Sequence, residues 1–374
     1  MIWMKLVYYY PMSKGAPSNV ARNVFEALIA KKDKLPFDEI ILYTNNKNKV
    51  ILGKKYSDIK IFTGKDILKI KNSIVHIPTT PLVFPNSKFL LHVFAKIKKN
   101  KLILNYHGDI CKELVLRYKY DHKLELSKIP TCILLPILLF SSNKNIVNSY
   151  SLANIFKHRY GLGNIEVVPN AIDNCWFLKR HEFIKKSDNS IKIFYHGRLS
   201  PEKGVDLLIK GLKLFLSTKS GSTKIYLYIA GDGPQMQYLK ALSIQLDIVD
   251  NVIFLGNLNQ KMIIKYLQKV DAAIYPSILD TFALAILEAF ACAECPVYFS
   301  KKAGIYDFII DDGYVLGAFE PNVENISNIV SSIFEKSNKN DNIIEHQKKF
   351  AEKYNWTSVI DYYISIYREM YHAN

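Results

Sequence analysis

Two cations bracket a short glycine turn between Tyr195 and Gly204, in the order Tyr-His-Gly-Arg-Leu-Ser-Pro-Glu-Lys-Gly. An apolar run ends there, Gly197-Arg198 makes a turn, and Ser200-Pro201-Glu202 has the form of a helix start. Arg198 and Lys203 can then both reach an anion held at that helix N-terminus, where backbone N–H groups already favour negative charge. A departing diphosphate needs such support, because its charge grows as the bond breaks. Standing alone, an Arg/Lys pair is two solvated loop cations. A second acidic pair follows downstream. Asp280 stands at the expected start of a helix, and Glu288 lies inside its apolar face among Ala, Leu and Phe. A carboxylate there is costly to bury unless it accepts hydrogen bonds, and the vicinal hydroxyls of a ribose offer two donors. The plainer readings are a helix cap for Asp280 and an exposed helical position for Glu288. Between the two pairs, Ala230-Gly231-Asp232-Gly233-Pro234 forms a tight turn that lets backbone approach a ligand.

Elements must hold these residues. Short apolar or Tyr-rich runs alternate with helical patterns, which predicts α/β layers with parallel sheets. In the first half the strands are expected at Ile2–Tyr10, Glu39–Thr44, Ile59–Phe62, Ile74–Ile77, Lys101–Tyr106, Asn145–Asn148 and Glu166–Val168. In the second they are expected at Lys192–Tyr195, Ile225–Ala230, Val252–Leu255, Ala272–Tyr275 and Pro296–Phe299. Helices are expected at Asn19–Ala30, Val205–Leu216, Gln235–Leu246, Asn259–Gln268, Leu284–Ala291 and Val323–Phe334. Ligands of such sheets gather at the carboxyl ends of strands, and the reactive loops fall there. Asn174–Ser190 is polar without a period and reads as a linker.

Length and composition agree with two α/β domains. The 374 residues exceed one ordinary core, and 49% hydrophobic with 22% charged residues excludes wholesale disorder. Five scattered cysteines argue against a disulfide framework. Cys292 and Cys295 have metal-ligand spacing, but without a second pair they read as core thiols. No run reaches the length of a spanning helix. Ile129–Phe140, with Pro130 and Pro136, reads as a buried helix or an interface-lying segment. Met1–Tyr10 reads as a first strand, so the expected compartment is the cytoplasm. The net charge of +16 is uneven: residues 1–190 hold 31 Lys and Arg against 14 Asp and Glu. An acidic acceptor or an anionic membrane surface would explain it, and so would a Lys-rich coding bias. No nucleic-acid recognition motif accompanies it.

In order, Gly197-Arg198, Glu202-Lys203-Gly204, Gly231-Asp232-Gly233-Pro234, Tyr275-Pro276-Ser277, and Asp280 with Glu288 resemble the donor domain of the retaining, GT-B-fold glycosyltransferases of family four. That family shows Glu, seven residues, then Glu at the last element. The first half resembles it more loosely, through Val168–Asp173, through Tyr106-His107-Gly108-Asp109, and through the Lys14–Ser18 loop with Gly15 and Ala16. The resemblance implies two Rossmann-like domains facing across a cleft: residues 1–173 for the acceptor, a linker at 174–190, a donor domain at 191–355, and a helix at 356–374 crossing back to the first domain. It implies transfer of a hexose from a GDP- or UDP-linked donor to a glycan, glycoprotein or lipid-linked acceptor, with retention, no metal and no cofactor. Arg198 and Lys203 would stabilise the leaving diphosphate, and Glu288 would grip the ribose. Asp280 and the backbone of Phe282, Ala283 and Leu284 would face the sugar or phosphate. His107 would hold the sugar, while Gly15 and Ala16 leave room for phosphate and acceptor. Gly256 and Asn257 are the candidates for the base pocket. Departures from the pattern are Asp280 for the first Glu, Thr281 and Ala283 at small or Gly positions, Ala16 for a Gly, and Ala303–Asp307 for a Gly-Gly-x-Pro-Glu stretch. They leave room for a degenerate protein that binds nucleotide or a partner without turnover, or for a sugar-nucleotide epimerase.

Overall fold

The structure, a computed structural model, describes residues 4–13, 15–80, 87–121, 126–177, 190–218, 224–313, 316–335 and 341–373. Lys14 and residues 178–189 of the expected linker lie outside the described residues. The chain divides into two compact units. One takes in Met1–Val115, Lys123–Ala171 and Trp356–Asn374, the other Leu116–His122 and Ile172–Asn355.

The first unit is built on β1 (Lys5–Tyr9), α1 (Ala16–Ala30), β2 (Ile40–Thr44), α2 (Lys49–Lys55), β3 (Lys60–Thr63), β4 (Ser73–Ile77), α3 (Ser87–Ile97), β5 (Lys101–Tyr106), the first part of α4 (Ile110–Asp121, grouped with the second unit from Leu116 on), α5 (Ile129–Ser141), β6 (Lys144–Val147), α6 (Tyr150–Tyr160) and β7 (Ile165–Val167). Its sheet runs β3-β2-β1-β4-β5-β6-β7, with every pairing parallel. Helices cover both faces of such a sheet, so its central strands are continuous apolar runs and not alternating ones. Val7, Ile74, Val75, Leu102 and Leu104 are fully buried there.

The second unit follows the same plan with β8 (Ile191–His196), α7 (Val205–Thr218), β9 (Ile225–Ala230), α8 (Met236–Gln245), β10 (Val252–Gly256), α9 (Gln260–Leu267), β11 (Ala272–Tyr275), α10 (Leu284–Cys292), β12 (Val297–Ser300), α11 (Ile305–Asp311), β13 (Ala318–Phe319), α12 (Val323–Phe334) and α13 (Asp341–Glu352). Its sheet order is β10-β9-β8-β11-β12-β13. The chain winds one way from β8 to β10 and the other way from β11 onward. The strand order therefore reverses between β8 and β11, the place where open sheets of this kind take their ligands.

The closing helix α14 (Trp356–His372) belongs to the first unit. Tyr367 OH meets Nδ1 of His76 on β4 at 2.6 Å, and Asn105 Nδ2 on β5 donates to Tyr363 OH at 3.0 Å. Lys31 pairs with Asp361 at 2.8 Å. One expected boundary moves. Asn174–Phe177, read from the sequence as the start of the linker, is a folded turn of the second unit. Trp176 is buried there and stacks on His196 with ring centroids 6.3 Å apart. A single turn is too short to show any period, and its one large anchor went unread.

A candidate donor site on the second unit

The loops leaving β8, β9, β10 and β11 are tied to one another by backbone hydrogen bonds at the carboxyl edge of the second sheet. Gly197 N–H donates to Ala230 O at 3.0 Å, Leu199 N–H to Asp232 O at 3.0 Å, and Gly231 N–H to Gly256 O at 2.8 Å. Ile278 N–H donates to Glu202 O at 2.9 Å. Glycine is required at the closest approach: Gly231 has φ +138°, and a Cβ there would run into the Gly197 carbonyl. The Gly231-Asp232-Gly233-Pro234 turn is thus a packing device that brings the β8 and β9 loops together.

Arg198 sits on this edge with an exposed guanidinium that holds no ion pair among the described residues. Tyr195 OH donates to its carbonyl at 3.2 Å, which fixes the turn from below. Lys203 closes the short Pro201–Lys203 helical turn and pairs with Asp280 Oδ2 across the β8/β11 reversal. The structure therefore brings Arg198, Lys203 and Asp280 together on adjacent loops.

Both oxygens of Asp280 are engaged. While Oδ2 takes Lys203, Oδ1 accepts the Ala283 N–H at 2.9 Å and the Phe282 N–H at 3.4 Å. Asp280 thus braces the turn that leads into α10 as well as partnering a cation. The Phe282 ring is buried against Phe308, so only its backbone is available to a ligand. Ala283 lies at φ +71°, in the left-handed region where glycine is unstrained. Leu284 opens α10, whose N-terminus faces this cluster of loop residues.

Glu288, one turn further along α10, is half-buried and bonds through Oε2 to His196 Nε2 at 3.0 Å. On the other side of that ring, Tyr275 OH meets Nδ1 at 2.7 Å. Burial pushes the Tyr275 phenol well above its usual range, with the charges of Cys292 and Glu288 adding to the effect, so it keeps its proton and donates it to Nδ1. His196 must then carry its own proton on Nε2 and give it to the Glu288 carboxylate. Only 3% of His196 is exposed. Sequence reasoning missed this Tyr275-His196-Glu288 chain. The available signal was two polar residues ending adjacent strands, since Phe194 pairs with Ala273 and that register sets His196 beside Tyr275.

Gly256 (φ +66°) and exposed Asn257 leave the end of β10 beside Gly231, two strands out from β8 and its reversal with β11. Cys292 and Cys295 are buried free thiols, with Cys292 Sγ donating to Glu288 O at 3.2 Å. The remaining candidates belong to the first unit. Gly15 (φ +120°) caps α1 at the carboxyl end of β1, and exposed Ala16 is the first residue of that helix. His107 follows β5 and donates from Nε2 to Pro78 O at 2.9 Å. Burial holds its imidazole below the usual pKa.

Residues 178–350 match the family model described as glycosyl transferases group 1. An uncharacterized glycosyltransferase of Methanocaldococcus jannaschii, MJ1607, is 28% identical over 182 residues, covering 48% of this chain and 45% of its own. The Bacillus subtilis uncharacterized glycosyltransferase YqgM is 28% identical over 189 residues, covering 50% of this chain and 52% of its own. The chain thus spans about half the length of these curated relatives. Among solved structures, Anabaena Alr3699/HepE in complex with UDP and glucose superposes with a TM-score of 0.70 at 16% identity, covering 98% of this chain and 100% of that one. Fold and matched segment agree: the chain has the GT-B fold, and its residues 178–350 match the group 1 glycosyl transferase model.

Proposed function

We propose that the chain is a retaining glycosyltransferase that moves a hexose from a GDP- or UDP-linked donor to a glycan, glycoprotein or lipid-linked acceptor, using neither metal nor cofactor. The observation that carries this reading is the gathering of Arg198, Lys203, Asp280 and Glu288 at the strand-order reversal of the second sheet. In transfer, the bond from the anomeric carbon to the diphosphate breaks and a bond to an acceptor hydroxyl forms, while the hydroxyl proton is released. Charge accumulates on the diphosphate. Arg198, exposed and free of ion pairs among the described residues, and Lys203, held by Asp280, meet that charge in place of a metal. Glu288 accepts from the ribose hydroxyls, with His196 and Tyr275 fixing its orientation. The backbone of Phe282, Ala283 and Leu284 faces the phosphate or sugar, and Gly256 and Asn257 border the base. His107, Gly15 and Ala16 serve the sugar and acceptor from the first unit. The bound UDP and glucose of the Anabaena protein support a nucleotide-sugar donor on this fold.

One observation favours a second reading. With both oxygens engaged, Asp280 offers the sugar no free carboxylate oxygen, as in a nucleotide-binding protein without turnover. Incubation with a panel of UDP- and GDP-hexoses, following released nucleoside diphosphate with and without acceptor, separates the two. Turnover that persists in EDTA is expected. Saturable nucleotide binding with no turnover on any donor supports the binder, and turnover abolished by EDTA contradicts the metal-free assignment.

A further inference from the structure

Helix α5 is apolar on both sides. Thr131, Leu135, Leu138 and Leu139 turn into the first unit and are buried. On the outer side, Ile133, Ile137 and Phe140 follow one another at i, i+4 and i+7 and are 69%, 64% and 61% exposed. A helix apolar all round ordinarily sits in a core or in lipid, and a line of three large apolar side chains facing water marks a surface built to be covered. The stripe continues into an open groove of about 350 Å³ whose wall includes Cys111 and Leu114 of α4, Ile129 and Ile133 of α5, and Arg159 of α6. Among the described residues that line the groove, Arg159 is the only charged one. Its guanidinium is half-exposed and only loosely paired, at 3.4 Å, with the buried Asp109 carboxylate. Lys128 immediately precedes α5, Lys112 and Lys157 are exposed on α4 and α6, and no Asp or Glu occurs between Leu126 and Lys144.

We propose that this outer face of α5, with the Arg159 groove beside it, docks on an anionic lipid bilayer. Aliphatic and aromatic side chains next to the exposed cations Lys112 and Lys157 match the two layers of such a surface, acyl chains below and anionic headgroups above. A second copy of the chain fits less well, because residues 1–190 carry a net +17 and would meet the same charge on the partner. The surface is independent of the donor chemistry, so its failure would leave the transferase reading untouched.

The test uses the full chain and extruded vesicles, either phosphatidylcholine alone or with about one third phosphatidylglycerol. Co-sedimentation with the anionic vesicles is expected, weakened in about 0.5 M salt. The triple variant Ile133→Ser/Ile137→Ser/Phe140→Ser should lose at least about tenfold in partitioning while keeping its thermal melt. Should that variant not fold, Phe140→Trp keeps the apolar surface. Its added fluorescence, taken against the wild type, should shift to the blue and be quenched by brominated lipid. Absence of wild-type binding to anionic vesicles overturns the proposal. So does equal binding of the triple variant, or a Phe140→Trp signal blind to vesicles. A dimer that the triple variant splits, without any vesicle binding, would name a second copy as the occupant and overturn it equally.

Discussion

Glu288 is held by a neighbour that exists to orient it. His196 is buried, stacked on Trp176 and bonded to a phenol that cannot release its proton, so its one remaining N–H is aimed at the carboxylate. If that carboxylate grips a ribose, Glu288→Gln should weaken nucleoside diphosphate binding by roughly tenfold or more, the scale of a lost charge-assisted hydrogen bond. His196→Phe, which keeps the stacking, should weaken binding less, and should narrow the preference for ribo- over 2′,3′-dideoxynucleotide. Titration calorimetry with the two nucleotides reads both effects. An unchanged preference in His196→Phe would reduce the relay to a packing feature. Ala283 offers a separate check. Its left-handed backbone costs about 1 kcal/mol that glycine does not pay, so Ala283→Gly should raise stability by about that amount. A lower melting temperature would mean that the methyl group's packing outweighs the strain. Arg198, Lys203, Asp280 and Glu288 were legible in the sequence because each stands beside a turn or helix-start signal. His196 was not, because at the end of an apolar strand a lone imidazole looks the same whether it serves a site or a core.

The elements divide into those with a pattern and those without one. All twelve expected strands are present, most within a residue or two of their expected ends, since a strand buried on both faces announces itself as a β-branched run between turn residues. The thirteenth, Ala318–Phe319, is two residues long and offers no pattern. Helix α5 was read as buried or interface-lying. It is buried along one side and exposed along the other, a distinction that composition alone does not make. Between elements, the glycine turns are the least tolerant points. Gly231→Ala would drive a methyl into the Gly197 carbonyl and part the β8 and β9 loops. We expect a loss of more than about 2 kcal/mol in stability together with nucleotide binding, read by denaturant melts and calorimetry. Wild-type values for both would show that the loops are less closely joined than they stand. The α14 contact has its own signature in acid. Burial lowers the pKa of His76, between Tyr367 and Asn105, to about 4, and it does the same to His92. Below about pH 6.5 the unfolded chain takes up protons that the folded one refuses. Stability should therefore be level above that pH and fall between pH 6.5 and 4, by up to about 3 kcal/mol per histidine. His92→Phe should lessen that slope over pH 6.5 to 5, leaving the part due to His76 and the likewise lowered His107. A flat wild-type profile there would contradict both shifts.

At the scale of the molecule, the six-strand order of the second sheet recurs in the first, which adds a seventh strand, and the family match falls on the second. The glycosyl transferase match falls on residues 178–350, where the loops at the carboxyl edge of the sheet leave local turn signals in the sequence. The first half lies outside that match and shares its fold with the Anabaena structure. That is why the proposed donor end carries readable motifs and the proposed acceptor end does not: acceptor loops answer to a partner whose chemistry leaves no fixed motif. The most direct measurement is single-turnover release of diphosphate from the preferred nucleotide-hexose by wild type, Arg198→Ala and Lys203→Ala, at saturating donor. If these two cations carry the leaving-group charge, each variant should bind donor within a few-fold of wild type yet release diphosphate about 10²- to 10³-fold more slowly. Release at the wild-type rate in both variants would contradict the placement of the reaction at the β8/β11 reversal.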